Sequence, residues 1–384
     1  MMATATTLSM GVLGTSKKID ERRVPIHPAH FERIHEDYRH RIMVESGYGE
    51  PFGMDDSEIA KFVGSIGTRT EVIAASDILL LPKPQPSDLE DMKDGQILWG
   101  WPHCVQDDAI TQLAIDKKLT LIAFEAMNHW GPDGSFGLHV FHKNNELAGY
   151  ASVIHALSLA GSTGDYGRRL SAAVIGFGAT ARGAVTALLA HGINDVHVLT
   201  SRAVAAVASP IHSVDMVQFD QVDDSLEAIT EEGRWPLANY LAKSDIVVNC
   251  TLQDPNDPLM YVRNSDLEVF TPGSIIIDVS CDEGMGFEWA KPTTFADPMF
   301  KIGHNINYYA VDHSPSYLWN SASWEISEAL LPFISVVLDG EDAWDNSEPI
   351  RRAIEIRNGM IQNRAILAFQ KRDEDYPYAR SGKK

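Results

Sequence analysis

The sequence predicts an α/β protein made of two doubly wound lobes, one inserted into the other. Three observations predict it. Through the first 145 residues, short apolar runs alternate with helix-like stretches and short links, the pattern of a parallel sheet covered by helices. A second such unit opens at Gly176-Phe-Gly178-Ala-Thr-Ala181, a glycine-rich turn between an apolar run and a helical one. Beyond Asp312 the pattern turns helical, which returns the chain to its first lobe.

Taken in order, residues 8–14 read as the first strand and 17–28 as a charged loop ending at Pro28. Residues 29–38 read as helix, 41–45 as strand before Gly47-Tyr-Gly49, and 55–63 as helix. A short buried strand at 78–81 leads into Pro82-Lys83-Pro84. The strand at 97–99 ends at Trp101-Pro102-His103, and the strand at 119–124 leads to Glu125. Residues 131–145 read as a loop crossing between lobes. A long helix begins near Glu146, with Leu147, Ala151, Ile154, Leu157 and Ala160 at helical spacing. Later strands fall at 246–249 and 274–279, with helices between. Residues 323–338 and 348–369 read as helices, and the last residues as a tail.

The turn at 176–181 lies between strands at 172–175 and 196–199. Gly176 permits the tight turn. Gly178 lets a pyrophosphate approach the backbone. Ala181 allows close helix–strand packing, and the helix N-terminus faces the phosphates. This is a Rossmann-like dinucleotide unit. Such units for NAD place Asp or Glu about 20 residues on, for the ribose 2′-hydroxyl. Here the second strand ends in Thr200-Ser201-Arg202, two hydroxyls and a guanidinium, which suits a 2′-phosphate and therefore NADP(H). The bland alternative is a structural turn with Arg202 solvated; the flanking strands and helix weigh against it.

The domains then run 1–145 with 315–384 for the substrate (catalytic) domain and 146–314 for the NADP(H)-binding domain. A formal net charge of −21 disfavours nucleic acid and anionic membrane as partners. Cys104, Cys250 and Cys281 are odd in number and widely spaced. They suggest neither a disulfide framework nor a C-x-x-C metal site, and with no H-E-x-x-H no metal is expected. The first residues lack a basic signal-peptide region, and no stretch reads as the ~18–20 apolar residues of a membrane span, so a cytoplasmic protein is expected.

Four places can carry chemistry. Arg23, in Glu21-Arg-Arg23-Val-Pro25, offers a guanidinium fork for a carboxylate, although a loop arginine alone is ordinarily a solvated charge. Lys83 is stiffened between two prolines at a strand end, where it can bind an oxo group or carboxylate; a snorkelling surface lysine is the alternative. His103 follows the next strand and suits proton exchange near neutrality, although a lone histidine is more often structural. In Asp278-Val-Ser-Cys-Asp282, Asp278 reads as buried and structural. Asp282 lies beyond the strand tip, near a nicotinamide ribose or a substrate amine, or merely caps its loop. The run Val311-Asp312-His313-Ser314 ends the unit and can offer backbone groups, with Asp312 assigned to the cofactor.

In order along the chain, ERRVPIHP (21–28), VESGYGEPFG (44–53), LPKPQP (81–86), GQILWGWPH (95–103), ELAGY (146–150), GFGATARG (176–183), IIIDVSCDEG (275–284) and VDHSPS (311–316) resemble one superfamily. Its members include alanine dehydrogenase, the transhydrogenase nucleotide-binding subunit and saccharopine dehydrogenase. The nearest likeness is to N5-(carboxyethyl)ornithine synthase, an NADPH-dependent opine-type dehydrogenase. The resemblance implies two doubly wound lobes with the cofactor lobe inserted. It implies Arg23 and Lys83 on the 2-oxo acid, His103 as acid/base, and Asp282 near the nicotinamide and reacting amine. VDHSPS looks more like the saccharopine branch, and Asn145 stands where alanine dehydrogenase places a serine. The expectation is reductive condensation of a pyruvate-like 2-oxo acid with an amino-acid amine or ammonia, by a homo-oligomer. Oxidative deamination of an alanine- or saccharopine-like substrate, and a non-catalytic NADP(H) sensor, stand as alternatives.

Overall fold

The computed structural model describes residues 7–201, 214–223, 225–253 and 258–380. The chain divides into two compact units, Met1–His142 with Trp319–Lys384, and Lys143–Leu318.

The first unit is built on an eight-stranded sheet. Six strands are parallel: β1 (Met10–Val12), β2 (Ile42–Glu45), β3 (Ser65–Gly67), β4 (Ile78–Leu80), β5 (Ile97–Gly100) and β6 (Thr120–Ala123). β1, β4, β5 and β6 are buried at every position, as expected of strands covered on both faces. The order β6-β5-β4-β1-β2-β3 reverses direction between β1 and β4. That reversal opens a crevice outside the carboxyl ends of those strands, where ligands bind in open α/β sheets.

The second unit carries a nine-stranded sheet. β7 (Ser171–Ile175), β8 (Asp195–Thr200) and β9 (Asp215–Val222) run parallel on one side. β10 (Ser225–Thr230) and β11 (Gly233–Pro236) continue that side antiparallel. β12 (Ile246–Asn249) and β13 (Ile275–Asp278) lie on the other side of β7, followed by the hairpin of β14 (Met299–Ile302) and β15 (Ile306–Tyr309). The reversal here falls between β7 and β12. Helix α1 (His142–Ala160) and helix α2 (Ala179–Ala190) cross so closely that side chains are excluded. A Cβ at Gly149 would lie 1.9 Å from the Thr180 carbonyl oxygen, and one at Gly183 would lie 1.7 Å from that of Glu146.

Several local expectations are corrected. Residues 29–38 are two short turns, Pro28–Arg33 and Glu36–Arg39, because the His27 and His35 side chains each accept a backbone N–H and restart the helix. The helix expected at 55–63 closes as Asp56–Ile59. The loop expected at 131–145 is a hairpin, Asn128–Trp130 with Phe136–His139, and α1 starts at its foot. Between β8 and β12, where no strand is expected, lies the ribbon β9–β11, which places Asp223 at φ +52°. The helix expected at 323–338 pauses at Leu331–Phe333, where Pro332 lacks a donor. The helix expected at 348–369 ends at Ala353 and becomes the hairpin Ile354–Arg357 with Met360–Ile361, which joins β6 antiparallel. Its turn is Asn358-Gly359, both at positive φ, a strong hairpin signal that outweighs helical spacing.

Among the described residues, one helical run, Ser314–Leu338, is long and apolar enough by composition to cross a membrane. This qualifies the expectation that no such stretch exists. Half of that window is buried, and Ile326, Leu330, Ile334, Val337 and Leu338 pack in the first unit's core.

Candidate active site

At the carboxyl edge of the first sheet, three consecutive strands each deliver a titratable side chain. β4 runs into Lys83, β5 into His103 and β6 into Glu125. Lys83 Nζ lies 2.9 Å from His103 Nε2, a hydrogen bond in which the ring nitrogen accepts when the imidazole carries its proton on Nδ1. The backbone N–H of His103 donates to Glu125 Oε1 at 2.6 Å, and Nδ1 lies 3.9 Å from the same oxygen. His103 has φ +48°, a left-handed conformation that a non-glycine residue adopts at a cost of roughly 1–3 kcal/mol. The Glu125 carboxyl oxygen anchors that backbone. Glu125 Oε2 is buried with no hydrogen-bond partner among the described residues. Burial and the nearby Glu355 carboxylate push the Glu125 carboxyl up to about 8, opposed by its backbone hydrogen bonds and by Lys83. At neutral pH it is therefore largely a neutral acid beside the imidazole.

The backbone around Lys83 is tied down from the other side of the strand reversal, where Ser16 Oγ donates to the Lys83 carbonyl at 2.5 Å. Arg23 is buried, and Glu21 holds its guanidinium through Nε at 2.8 Å and a second nitrogen at 2.5 Å. It also lies over the Trp101 ring, 5.3 Å from the centroid. Arg23 is thus not the solvated loop charge that its residue type suggests.

In the second unit, a cavity of about 350 Å³ lies at the β7–β12 reversal. Gly176, Gly178, Thr200 and Ser201 line it, and Ala181 is fully buried beneath. Gly176 has φ +110°, and a Cβ there would lie 3.1 Å from the Cys250 carbonyl oxygen. A Cβ on Gly178 would meet nothing within 4 Å, so this backbone faces open space. Gly178 begins α2 with no side-chain cap, leaving the first N–H groups of the helix available to an anion. A dinucleotide pyrophosphate fits this arrangement. Among the described residues lining the cavity, none is acidic. Arg202 lies outside the described residues.

Asp278, at the end of β13, is fully buried. It accepts from Asn249 Nδ2 at 2.9 Å, from the Cys281 N–H at 3.1 Å and from the Tyr308 hydroxyl at 2.7 Å. Burial pushes it up to about 6 despite those donors. The network pins the turn that carries Asp282, whose carboxyl is also raised by burial. Asp312 pairs with the Nδ1 of buried His313 and does not line the glycine-turn cavity.

Sequence reasoning joined Lys83 and His103 by their strand ends but gave no role to Glu125, which follows its strand in the same way. It also passed over Glu21 and Phe219, and noted Asn145 without giving it a site role; Asn145 and Phe219 line the dinucleotide cavity.

Residues 13–142 match the family model "Alanine dehydrogenase/PNT, N-terminal domain", and residues 170–364 match "Alanine dehydrogenase/PNT, C-terminal domain". An alanine dehydrogenase of Mycobacterium tuberculosis (strain CDC 1551 / Oshkosh) is 25% identical over 336 residues, covering 85% of this chain and 86% of that protein. An N(5)-(carboxyethyl)ornithine synthase of Clostridium botulinum is 25% identical over 326 residues, covering 81% and 89%. A solved L-alanine dehydrogenase superposes with a TM-score of 0.75 at 17% identity, covering 94% of this chain and 99% of that one, a likeness of fold.

Proposed function

The chain belongs to the alanine dehydrogenase/PNT family of NAD(P)-dependent amino-acid dehydrogenases, and we propose that within it the protein condenses a 2-oxo acid with an amine and reduces the product with NADPH. The observation that carries the reading is the 2.9 Å contact of Lys83 Nζ with His103 Nε2, backed by Glu125.

The Lys83 ammonium polarises the carbonyl oxygen of the 2-oxo acid while a neutral amine attacks its carbon. His103 Nε2 takes the proton that the attacking amine nitrogen loses and, as imidazolium, returns it to the carbinolamine hydroxyl, which leaves as water and gives a protonated imine. His103 Nδ1 faces the Glu125 carboxylate oxygen, so the imidazolium is stabilised once Glu125 ionises. NADPH, when bound, supplies the hydride that saturates the imine carbon, and the product is a secondary or primary amino acid according to the amine. The carboxylate of the 2-oxo acid is assigned to Arg23 with Lys83, and Asp282 to the reacting amine. Gly176, Gly178 and Ala181 hold the coenzyme, with Asp312 a further contact.

The preference for NADPH over NADH is supported by Thr200 and Ser201 in a cavity whose described lining has no acid to hold a ribose 2′-hydroxyl. The test is a matrix of 2-oxo acids against ammonia, ornithine and lysine, followed by coenzyme absorbance with NADPH and with NADH. Oxidation of NADPH that requires both an amine and a 2-oxo acid is expected. If no pair stimulates it while the coenzyme still binds, the catalytic reading fails in favour of a sensor. If ammonia alone serves as amine, the protein is a simple amino-acid dehydrogenase.

A further inference from the structure

Arg22 and Arg23 are chain neighbours with opposite fates. Arg23 is buried and held by Glu21. Arg22 is exposed, and its guanidinium makes no ion pair or hydrogen bond among the described residues. It lies instead over the indole of Trp319, 5.2 Å from the ring centroid, which holds a cation in place without consuming its donors. Arg22 and Trp319 line a cavity of about 230 Å³ beyond the carboxyl ends of β1 and β2.

The other polar groups of this cavity are mostly committed. Glu45 accepts from the Gly14 N–H, the Thr15 N–H and the Thr15 hydroxyl at 2.7–3.0 Å. The Tyr48 hydroxyl donates to the Ile26 carbonyl at 2.6 Å and accepts its N–H at 3.0 Å. The Ser46 hydroxyl makes no hydrogen bond among the described residues. Glu21, the second carboxylate in the lining, is bound by the Arg23 guanidinium, so what the cavity offers a ligand is the Arg22 guanidinium and the Ser46 hydroxyl beside an indole face, a donor set for a carboxylate. Its volume is below the roughly 300–1,000 Å³ of sites for drug-sized ligands, so it suits one end of a small molecule. Thr15 in its wall is the chain neighbour of Ser16, which binds the Lys83 carbonyl. The cavity thus borders the loop that holds the candidate catalytic lysine.

We propose that this cavity is a subsite for the carboxylate of the amine co-substrate, with Arg22 as its principal ligand and Ser46 as its second. The co-substrate is then an amino acid that presents its side-chain amine for reaction, not ammonia. The assignment deepens the condensation reading and rests on it.

The test compares an amino-acid amine, ornithine or lysine, with methylamine, which has no carboxylate. Arg22→Gln is expected to lower the ratio of kcat/KM for the amino acid to kcat/KM for methylamine at least tenfold. Arg22→Lys should give an intermediate ratio, and Ser46→Ala a fall of about threefold. An unchanged ratio in Arg22→Gln overturns the subsite. Calorimetric titration of the protein with ornithine and lysine, without coenzyme turnover, separates this failure from failure of the reaction reading. Wild type that binds the amino acid, with a loss of at least tenfold in Arg22→Gln, supports the subsite even if no substrate pair turns over. Equal affinity in both proteins, or no binding by wild type, overturns it.

Discussion

The carboxyl edges of the two sheets follow one topological rule but are built of opposite materials. Each lies where strand order reverses, at β1–β4 in the first unit and at β7–β12 in the second. The first edge is made of side chains: Lys83, His103 and Glu125 follow successive strands, with Lys83 Nζ against His103 Nε2 and the His103 backbone N–H donating to Glu125. The second is made of backbone: Gly176 and Gly178 contribute the absence of a side chain, and the uncapped start of α2 contributes N–H groups. The lesson is that a doubly wound sheet supplies a crevice, while the residue type after each strand decides whether the crevice performs proton chemistry or grips a phosphate.

The contrast is sharpened most by His103→Ala. Loss of the acid/base is expected to lower kcat about 10³-fold while the dissociation constant for NADPH, read by fluorescence titration, stays within twofold. Equal damage to both would show that the two edges are not separable. Gly178→Val is the mirror experiment. Its side chain projects into open space, so thermal stability should hold while NADPH affinity falls on the order of 100-fold. If stability fell instead, Gly178 would be a folding residue. Ser201→Asp should favour NADH over NADPH by about tenfold relative to wild type, since it restores a carboxylate near the ribose. No change in the ratio of the two Kd values would remove Ser201 from the coenzyme site.

The smallest expected effect is on stability. Glu125 is held up to about 8 in the folded protein, against an ordinary value near 4.5. Between those values the folded state binds more protons than the unfolded state. Glu125 therefore makes stability fall as pH rises across that window, and the penalty is complete above it. Glu125→Gln should flatten this limb and leave the variant more stable than wild type by about 1–2 kcal/mol at pH 9, a figure reduced for partial exposure. Chemical denaturation at pH 5 and pH 9 measures it. Parallel losses at both values would mean that the carboxyl is ionised throughout.

The parallel core of both sheets was legible because buried strands are short apolar runs bounded by turns. The ribbon β9–β11 was not, since it alternates polar and apolar residues beside a glycine-turn motif that raises the expectation of further helices. At 354–361, Asn358-Gly359 carried the correct signal, but apolar residues on either side also fit a helix. Strand ends pointed to Lys83 and His103. The carboxylate behind them was harder to read, because an acid is ordinary at a strand end until its burial is known. The Arg23–Glu21 pair lay two residues apart on an extended loop, a spacing with no fixed meaning outside regular structure.

The crossing of α1 and α2 has a consequence for mutational surveys. A methyl group at Gly149 or Gly183 would strike the opposing helix backbone, whereas one at Gly178 meets nothing in the protein. A random library screened only for soluble expression should accept alanine at 178 and reject it at 149 and 183. The same library selected for growth that depends on making the reaction product would reject all three. Comparing the two screens would sort the glycines that join the helices from the one that greets the coenzyme.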